Sequence, residues 1–169
     1  MTPAQSGLVQ ESFAKLQRVQ DTTAQLFYLR LLERDPSLQN LFSRGLNTQC
    51  SAILAALGGA VGGLDDLDSL RPALRDLGRR HVCYGVKAAH YASFGEALLW
   101  TLEVVLGDDF DREVRQAWIA FYQLLSSTMV EAATQHVARA RKSQALDRIR
   151  TRELRQRIAF AAPTTPFGR

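Results

Sequence analysis

Between two amphipathic helical patterns the chain reads Arg79-Arg80-His81-Val82-Cys83-Tyr84-Gly85-Val86. One imidazole is flanked by two guanidinium groups on one side and by the apolar turn Tyr84-Gly85-Val86 on the other. A neutral imidazole can bind iron axially, and a neighbouring arginine can pair with a carboxylate. A ligand that needs one axial nitrogen and carries two carboxylates fits this strip, and haem is such a ligand. On that reading His81 is the metal ligand and Arg80, with Arg79 beside it, faces a propionate. Leu77 sits one turn before the histidine, Tyr84 lines the turn, and Val86 presses on the porphyrin face.

A second constellation, Tyr28, Phe42, Gln49 and Ile53, could form the opposite wall. Gln49 and Ile53 are four apart and share one helix face. Ile53 offers steric bulk over the iron, and Gln49 an amide donor. Tyr28 lies among leucines, where a buried hydroxyl needs a partner. A diatomic ligand that gains negative charge on binding, such as O2, could accept hydrogen bonds from both polar groups. Phe42 would pack on the porphyrin edge. Each residue also has a plainer reading: a half-exposed histidine among surface arginines, and a tyrosine and phenylalanine in an ordinary core. Cys50 and Cys83 read as small buried or half-buried fillers, and His90 and His136 as surface residues.

The elements that must position these groups read as helices. No period-2 alternation bounded by turns persists anywhere. A first helix is predicted from Pro3 to Gln17, with Thr2 as cap and Pro3 in the first turn. A second runs from about Asp21 to Glu33, and Asp35-Pro36 ends it. After the brief connection Ser43-Arg44-Gly45, Asn47 or Thr48 is expected to cap a helix reaching Gly62 and Gly63. An acidic corner, Leu64 to Asp68, precedes a helix from Ser69 to about Cys83. Two longer patterns follow, from Ala88 to Leu106 and from Asp111 onward. The stretch from Ala132 to Ile158 holds no Gly or Pro and is rich in helix formers. Pro163 and Pro166 mark an expected disordered end. Seven or eight helices without strands give an all-α class.

Composition bounds the rest. A chain of 169 residues with 46% hydrophobic and 22% charged residues has the profile of one soluble globular domain. No apolar run approaches the roughly 20 residues of a membrane span. The start Met1-Thr2-Pro3-Ala4-Gln5-Ser6 has no signal-peptide pattern. Two cysteines suit a reducing compartment, and the expectation is a cytoplasmic protein. The net charge of +4 is unevenly spread: from Arg139 to Arg169 there are nine Lys and Arg against two Asp and Glu. That leaves residues 1–138 at −3. The basic balance therefore describes a tail and does not argue for nucleic-acid binding by the domain.

The segments Leu26-Phe27-Tyr28, Asp35-Pro36-Ser37-Leu38-Gln39-Asn40-Leu41-Phe42 and Gly78 to Val86 resemble bacterial globins. So do His90-Tyr91, Gly95-Glu96-Ala97-Leu98-Leu99 and Ala117-Trp118. The resemblance is nearest to single-domain globins related to the flavohaemoglobin haem domain, and it spans about residues 5 to 133. The seven-residue step from Phe42 to Gln49 is also similar to that group. The resemblance implies a three-over-three helical sandwich around haem b. It implies His81 as proximal ligand, Gln49 and Tyr28 as the distal pair, Phe42 and Ile53 as haem-packing residues, and Tyr91 as the tyrosine that hydrogen-bonds on the proximal side. In flavohaemoglobins a glutamate joins that tyrosine and histidine. Here the aligned position is Gln135, with Glu131 one turn earlier.

The organisation expected is a globin domain over residues 1–135 and a basic extension over 136–169, helical and then disordered. The domain would bind O2, NO or CO and support NO dioxygenation with a separate reductase, no reductase domain being visible after residue 135. Two alternatives remain open: a gas sensor signalling through the C-terminal helix, and a globin-like interaction module without haem. The extension reads as a solvated helix, a docking or dimerising helix along Leu146, Ile149, Leu154 and Ile158, or a segment drawn to an anionic membrane. Monomer and homodimer are both compatible with the sequence.

Overall fold

The computed structural model describes the backbone of residues 1–41 and 46–161, and the side chains of residues 1–41 and 52–155. Ser43, Arg44, Gly45, Pro163 and Pro166 lie outside the described residues. Six α-helices and three short 3-10 turns make up the described chain, and no strand occurs in it.

Local chemistry sets the boundaries. Helix α1 (Pro3–Gln17) opens on a reciprocal cap: Gln5 N–H donates to the Thr2 hydroxyl, and Thr2 N–H donates to the Gln5 side chain. Helix α2 (Gln20–Arg34) ends at Asp35, whose backbone has left the helical region that a following proline disfavours. The Asp35 carboxylate then accepts from Ser37 N–H at 3.1 Å, the Ser37 hydroxyl at 2.6 Å and the Ser93 hydroxyl at 3.4 Å. These bonds tie the end of α2 and the 3-10 turn Pro36–Leu41 to the helix that carries Ser93. Ser37 is the main cause that holds Asp35 below the usual carboxylate range.

Helix α3 covers Leu46–Gly62. It is already helical at Leu46, a better helix former than Asn47 or Thr48, so both residues lie in its first turn and neither is its cap. Helix α4 (Leu67–Cys83) follows, capped by Asp66, which accepts from Ser69 N–H at 3.1 Å. Helix α5 spans Ala88–Leu106. His90 in its first turn is 9% exposed and not a surface residue. Its imidazole folds back so that Nδ1 accepts from Lys87 N–H at 3.1 Å, one of the donors a helix start leaves without an intrahelical partner. Helix α6 (Arg112–Ala161) starts on Asp111, which accepts from Val114 N–H at 2.9 Å.

Residues Met1–Ala133 form one compact unit and Thr134–Arg169 a second. The core of the first is a continuous apolar cluster drawn from all six helices, including Val9, Phe27, Leu74, Leu102 and Phe121. Trp118 is fully buried, and its indole N–H donates to the Ser12 hydroxyl at 2.9 Å. Ser12 in turn donates to the Leu8 carbonyl at 2.6 Å, so the buried polar chain between α6 and α1 is satisfied. Two glycines set close helix crossings. A Cβ on Gly78 would stand 2.3 Å from the Met129 carbonyl oxygen, and one on Gly95 would stand 2.6 Å from the Tyr122 ring.

In the second unit the described side chains are exposed apart from half-buried Val137. Leu146, Ile149 and Leu154 show 57%, 55% and 58% of their surface, so they are covered by nothing within their own helix. No described helix is long and apolar enough to cross a membrane.

Candidate functional site

The last turn of α4 is locked by its glycine. Gly85 has φ +80, which L side chains rarely adopt, and it follows the cap residue Tyr84. Gly85 N–H donates to the Val82 carbonyl at 3.1 Å, and Val86 N–H to the His81 carbonyl at 3.0 Å. This pair of bonds is a Schellman motif, and its anchoring carbonyl belongs to His81. The backbone of the histidine is thus fixed by the turn that follows it. From the other side Gly78, one turn earlier, lets α4 rest directly on the backbone of α6 at Met129.

The imidazole is held as firmly as its backbone. Tyr91 Oη of α5 lies 3.0 Å from His81 Nδ1, with the ring centroids 5.9 Å apart. Tyr122 of α6 donates its hydroxyl to the Tyr91 carbonyl at 2.6 Å and stacks on Phe94 at 5.7 Å between centroids. Burial lowers the His81 pKa from its ordinary 6.5, and the Arg80 charge adds to that, so the ring is neutral at physiological pH. Burial raises both phenols, most strongly that of Tyr122. With Nδ1 engaged, Nε2 has no hydrogen-bond partner among the described residues. A neutral imidazole oriented through one nitrogen and open at the other is the donor arrangement an axial metal site needs. No group of three or more His, Cys, Asp or Glu side chains among the described residues could hold a metal ion.

Around this centre the other predicted residues take distinct places. Leu77, Tyr91 and Ile53 are half-buried and pack on the main core. Val86 is half-buried, whereas Tyr84 is 61% exposed with its ring 6.2 Å from that of His81. Arg79 and Arg80 are exposed, and both pair with Asp76, at 3.2 Å and 3.3 Å. Cys83 is exposed, contrary to the filler reading, because the last turn of α4 faces it outward. Tyr28 is 5% exposed and forms a second small cluster with Ala24, backed by Leu32 and Leu54. Gln49 lies on α3 four residues before Ile53; its side chain, that of Cys50, and Phe42 lie outside the described residues. Glu131 and Gln135 are exposed. Sequence reasoning missed Tyr122 and Gly78. The signal for Gly78 was its position three residues before His81 on the same helix, where a small residue permits close packing.

Comparison with known proteins bears on the family and the fold. The globin family model matches residues 25–129. Neuroglobin of Danio rerio is 32% identical over 137 residues, which span 73% of this chain and 86% of that protein. The flavohemoprotein of Bordetella parapertussis is 31% identical over 133 residues, covering 77% of this chain but only 33% of that longer protein. Among solved structures, an engineered carbene transferase from Rhodothermus marinus, provisionally named a nitric oxide dioxygenase, superposes with a TM-score of 0.72 at 27% identity, covering 82% of this chain and 96% of that one. A hexacoordinated haem protein of an anhydrobiotic tardigrade has a TM-score of 0.71 at 16% identity, covering 79% and 96%, which is a likeness of fold. Globins typically bind haem and, through it, gaseous ligands. With a family match over most of its first unit and helices in the corresponding order, the chain has the all-α globin fold and belongs to the globin family.

Proposed function

We propose that this globin holds haem b through His81 Nε2 and binds O2, with NO and CO as further ligands, on the face towards Tyr28 and Gln49. The observation that carries the reading is the 3.0 Å contact between His81 Nδ1 and Tyr91, which leaves Nε2 as the unengaged nitrogen of a neutral ring. When bound, haem would supply an iron able to take up a diatomic gas. The chain supplies everything around it. Tyr91 orients the imidazole and Tyr122 orients Tyr91. Tyr28 and Gln49 donate hydrogen bonds to a ligand that gains negative charge. Phe42, Ile53, Leu77 and Val86 form apolar walls, exposed Tyr84 borders the rim beside His81, and Arg80 leaves Asp76 to meet a propionate.

The finer affiliation is with single-domain globins related to the flavohaemoglobin haem domain, supported by the Tyr28, Gln49 and Tyr91 positions. On that basis the protein supports NO dioxygenation when an external reductase supplies electrons, in the cytoplasm. A second reading, a gas sensor, draws on α6: the helix whose Met129 backbone meets Gly78 continues to Ala161. It predicts an oligomeric state that changes when CO is added.

The deciding experiment is the visible spectrum, ferric and dithionite-reduced, with and without CO, beside His81→Ala. A Soret band that shifts on reduction and on CO, and that weakens in the variant, is the expected result. Absence of haem uptake after reconstitution would overturn both gas-binding readings and leave an interaction module.

A further inference from the structure

The second unit carries a charge that nothing within it neutralises. From Thr134 to Arg155 helix α6 holds seven Lys and Arg against two Asp and Glu. Every side chain from Ala138 to Arg155 is exposed. None of the seven cations forms an ion pair among the described residues, whereas Arg30, Arg34, Arg79, Arg80 and Arg115 of the first unit all do. The helical repeat sorts these charges. Arg141, Arg148, Arg152 and Arg155 are spaced seven, four and three apart and form one row; Arg139 and Arg150, eleven apart, form a second. Between the rows lie Leu146 and Ile149, 57% and 55% exposed, and Lys142 and Glu153 close this strip at its two ends. Leu154 stands just outside the second row.

We infer that this helix lies flat on an anionic phospholipid surface, with Leu146 and Ile149 turned into the headgroup region and the two arginine rows against lipid phosphates. No described helix is long and apolar enough to cross a bilayer, so the contact is with its surface. Charge selects the partner. Unpaired guanidinium groups are drawn to an anionic surface and repel a second copy of the same segment. The heptad pattern also argues against self-pairing. Seven residues before and after Leu146 and Ile149 stand Arg139, Lys142, Glu153 and Gln156, so the apolar seam of a coiled coil does not continue. A nucleic acid would satisfy the arginines but leave Leu146 and Ile149 in water. A lipid interface takes both, because arginine stems pack along apolar surface while their heads stay among the phosphates. A polybasic patch and a small apolar face are each weak anchors, and together they give reversible attachment.

Flotation of the full chain with phosphatidylcholine vesicles, with and without roughly one third phosphatidylglycerol, tests this. The expected result is binding to the anionic vesicles at least about tenfold tighter than to the neutral ones, weakening as salt rises. Arg141→Gln, Arg148→Gln, Arg152→Gln and Arg155→Gln combined should lower that affinity by at least about a hundredfold, and lysine at the same four positions should keep it. Leu146→Ser with Ile149→Ser should lower it by about tenfold and leave retention by duplex DNA unchanged. Equal binding to neutral and anionic vesicles, or binding to neither, overturns the inference. Tighter binding to duplex DNA than to anionic vesicles, with the serine pair without effect, overturns it in favour of a nucleic acid. A dimer that the serine pair dissociates, in a chain that binds no vesicles, overturns it in favour of a second copy. The readout needs no haem, so the inference stands or fails apart from the gas-binding reading.

Discussion

Tyr91 Oη sits 3.0 Å from His81 Nδ1, and the same tyrosine's carbonyl accepts from Tyr122 at 2.6 Å. The histidine of α4 is thus held from α5, and the residue that holds it is held from α6. If haem is held through Nε2 as proposed, Nδ1 would carry the proton and donate to Tyr91 Oη, which would make the imidazole a stronger donor to a metal. Tyr91→Phe keeps the packing and removes the acceptor. Haem affinity is expected to fall by about 10–100-fold, as for other partners of metal-bound histidines. Resonance Raman spectra should show a lower iron–histidine stretch in the ferrous variant; an unmoved stretch would assign Tyr91 to packing alone.

Gly78→Ala tests the crossing that sets the height of His81. The added methyl would fall 2.3 Å from the Met129 carbonyl oxygen, a backbone atom that cannot turn aside, so α4 must lift off α6. Overpacking of this kind costs about 1–3 kcal/mol. The contrasting substitution is Gly59→Ala on exposed α3, where nothing lies within 4 Å and the helix gains about 0.5–1 kcal/mol. Thermal denaturation should move in opposite directions for the two. Equal midpoints would mean that the α4–α6 contact yields without strain.

Much of this architecture was legible because its signals are local. Thr2 and Pro3 mark the start of α1, and Asp35-Pro36 marks the end of α2 from two residues alone. The sequence marks a turn at Tyr84-Gly85-Val86, while the bonds that lock it to the His81 carbonyl appear only in the structure. What stayed hidden depends on contacts between residues far apart in the chain. Cys83 reads as a small filler and His90 as a surface residue, yet the side chain of Cys83 is exposed while His90 is buried, folded back onto Lys87 N–H. Tyr122 reads as one more apolar position of a long helix until its hydroxyl is seen against the Tyr91 carbonyl, 31 residues away. Asp76 likewise gives no hint in sequence that it holds both Arg79 and Arg80.

Gly85→Ala isolates the turn after His81. The nearest atom to an added Cβ is Leu41 Cδ2 at 3.7 Å, ordinary contact, so the penalty comes from the φ of +80. A left-handed non-glycine residue costs about 1–2 kcal/mol. Gly107, with φ +54, ψ −125 and open space around it, carries a backbone cost at least as large at the other end of α5. Both alanine variants should lose stability in urea, and only Gly85→Ala should also shift the Soret band. A Soret change of equal size in Gly107→Ala would remove the link between the turn and the site.

Asp66 gives a pH dependence to the helix that carries His81. Its carboxylate accepts from the Ser69 hydroxyl and the Ser69 N–H, and these bonds hold its pKa below the ordinary 3.8. Above 3.8 the carboxylate is charged in both folded and unfolded chains, so the cap contributes fully. Below that value the unfolded chain takes up the proton first, and the contribution fades as pH falls through the lowered folded value. The stability gap between wild type and Asp66→Ala should therefore be constant at neutral pH and narrow only below 3.8. Asp66→Asn, which caps without titrating, should show no such narrowing; a gap that persists in acid would point to another cause.

Tyr28 is 5% exposed, so its hydroxyl cannot rely on bulk water and must bond within the protein or to a ligand. In the proposed pocket that ligand is O2, which gains negative charge on binding, whereas CO gains little. Tyr28→Phe keeps the ring and removes one donor. Loss of a single hydrogen bond, about 0.5–1.5 kcal/mol, corresponds to O2 dissociation faster by up to about tenfold. CO dissociation should change far less, because a weakly polar ligand has less to lose. Stopped-flow displacement of O2 by CO measures the first rate, and displacement of CO by NO the second. If both rates rise together, the variant has loosened the cluster with Ala24 and Leu54 and the hydroxyl has no part in holding the ligand. If only the O2 rate rises, the polarity of the bond is what the tyrosine reads.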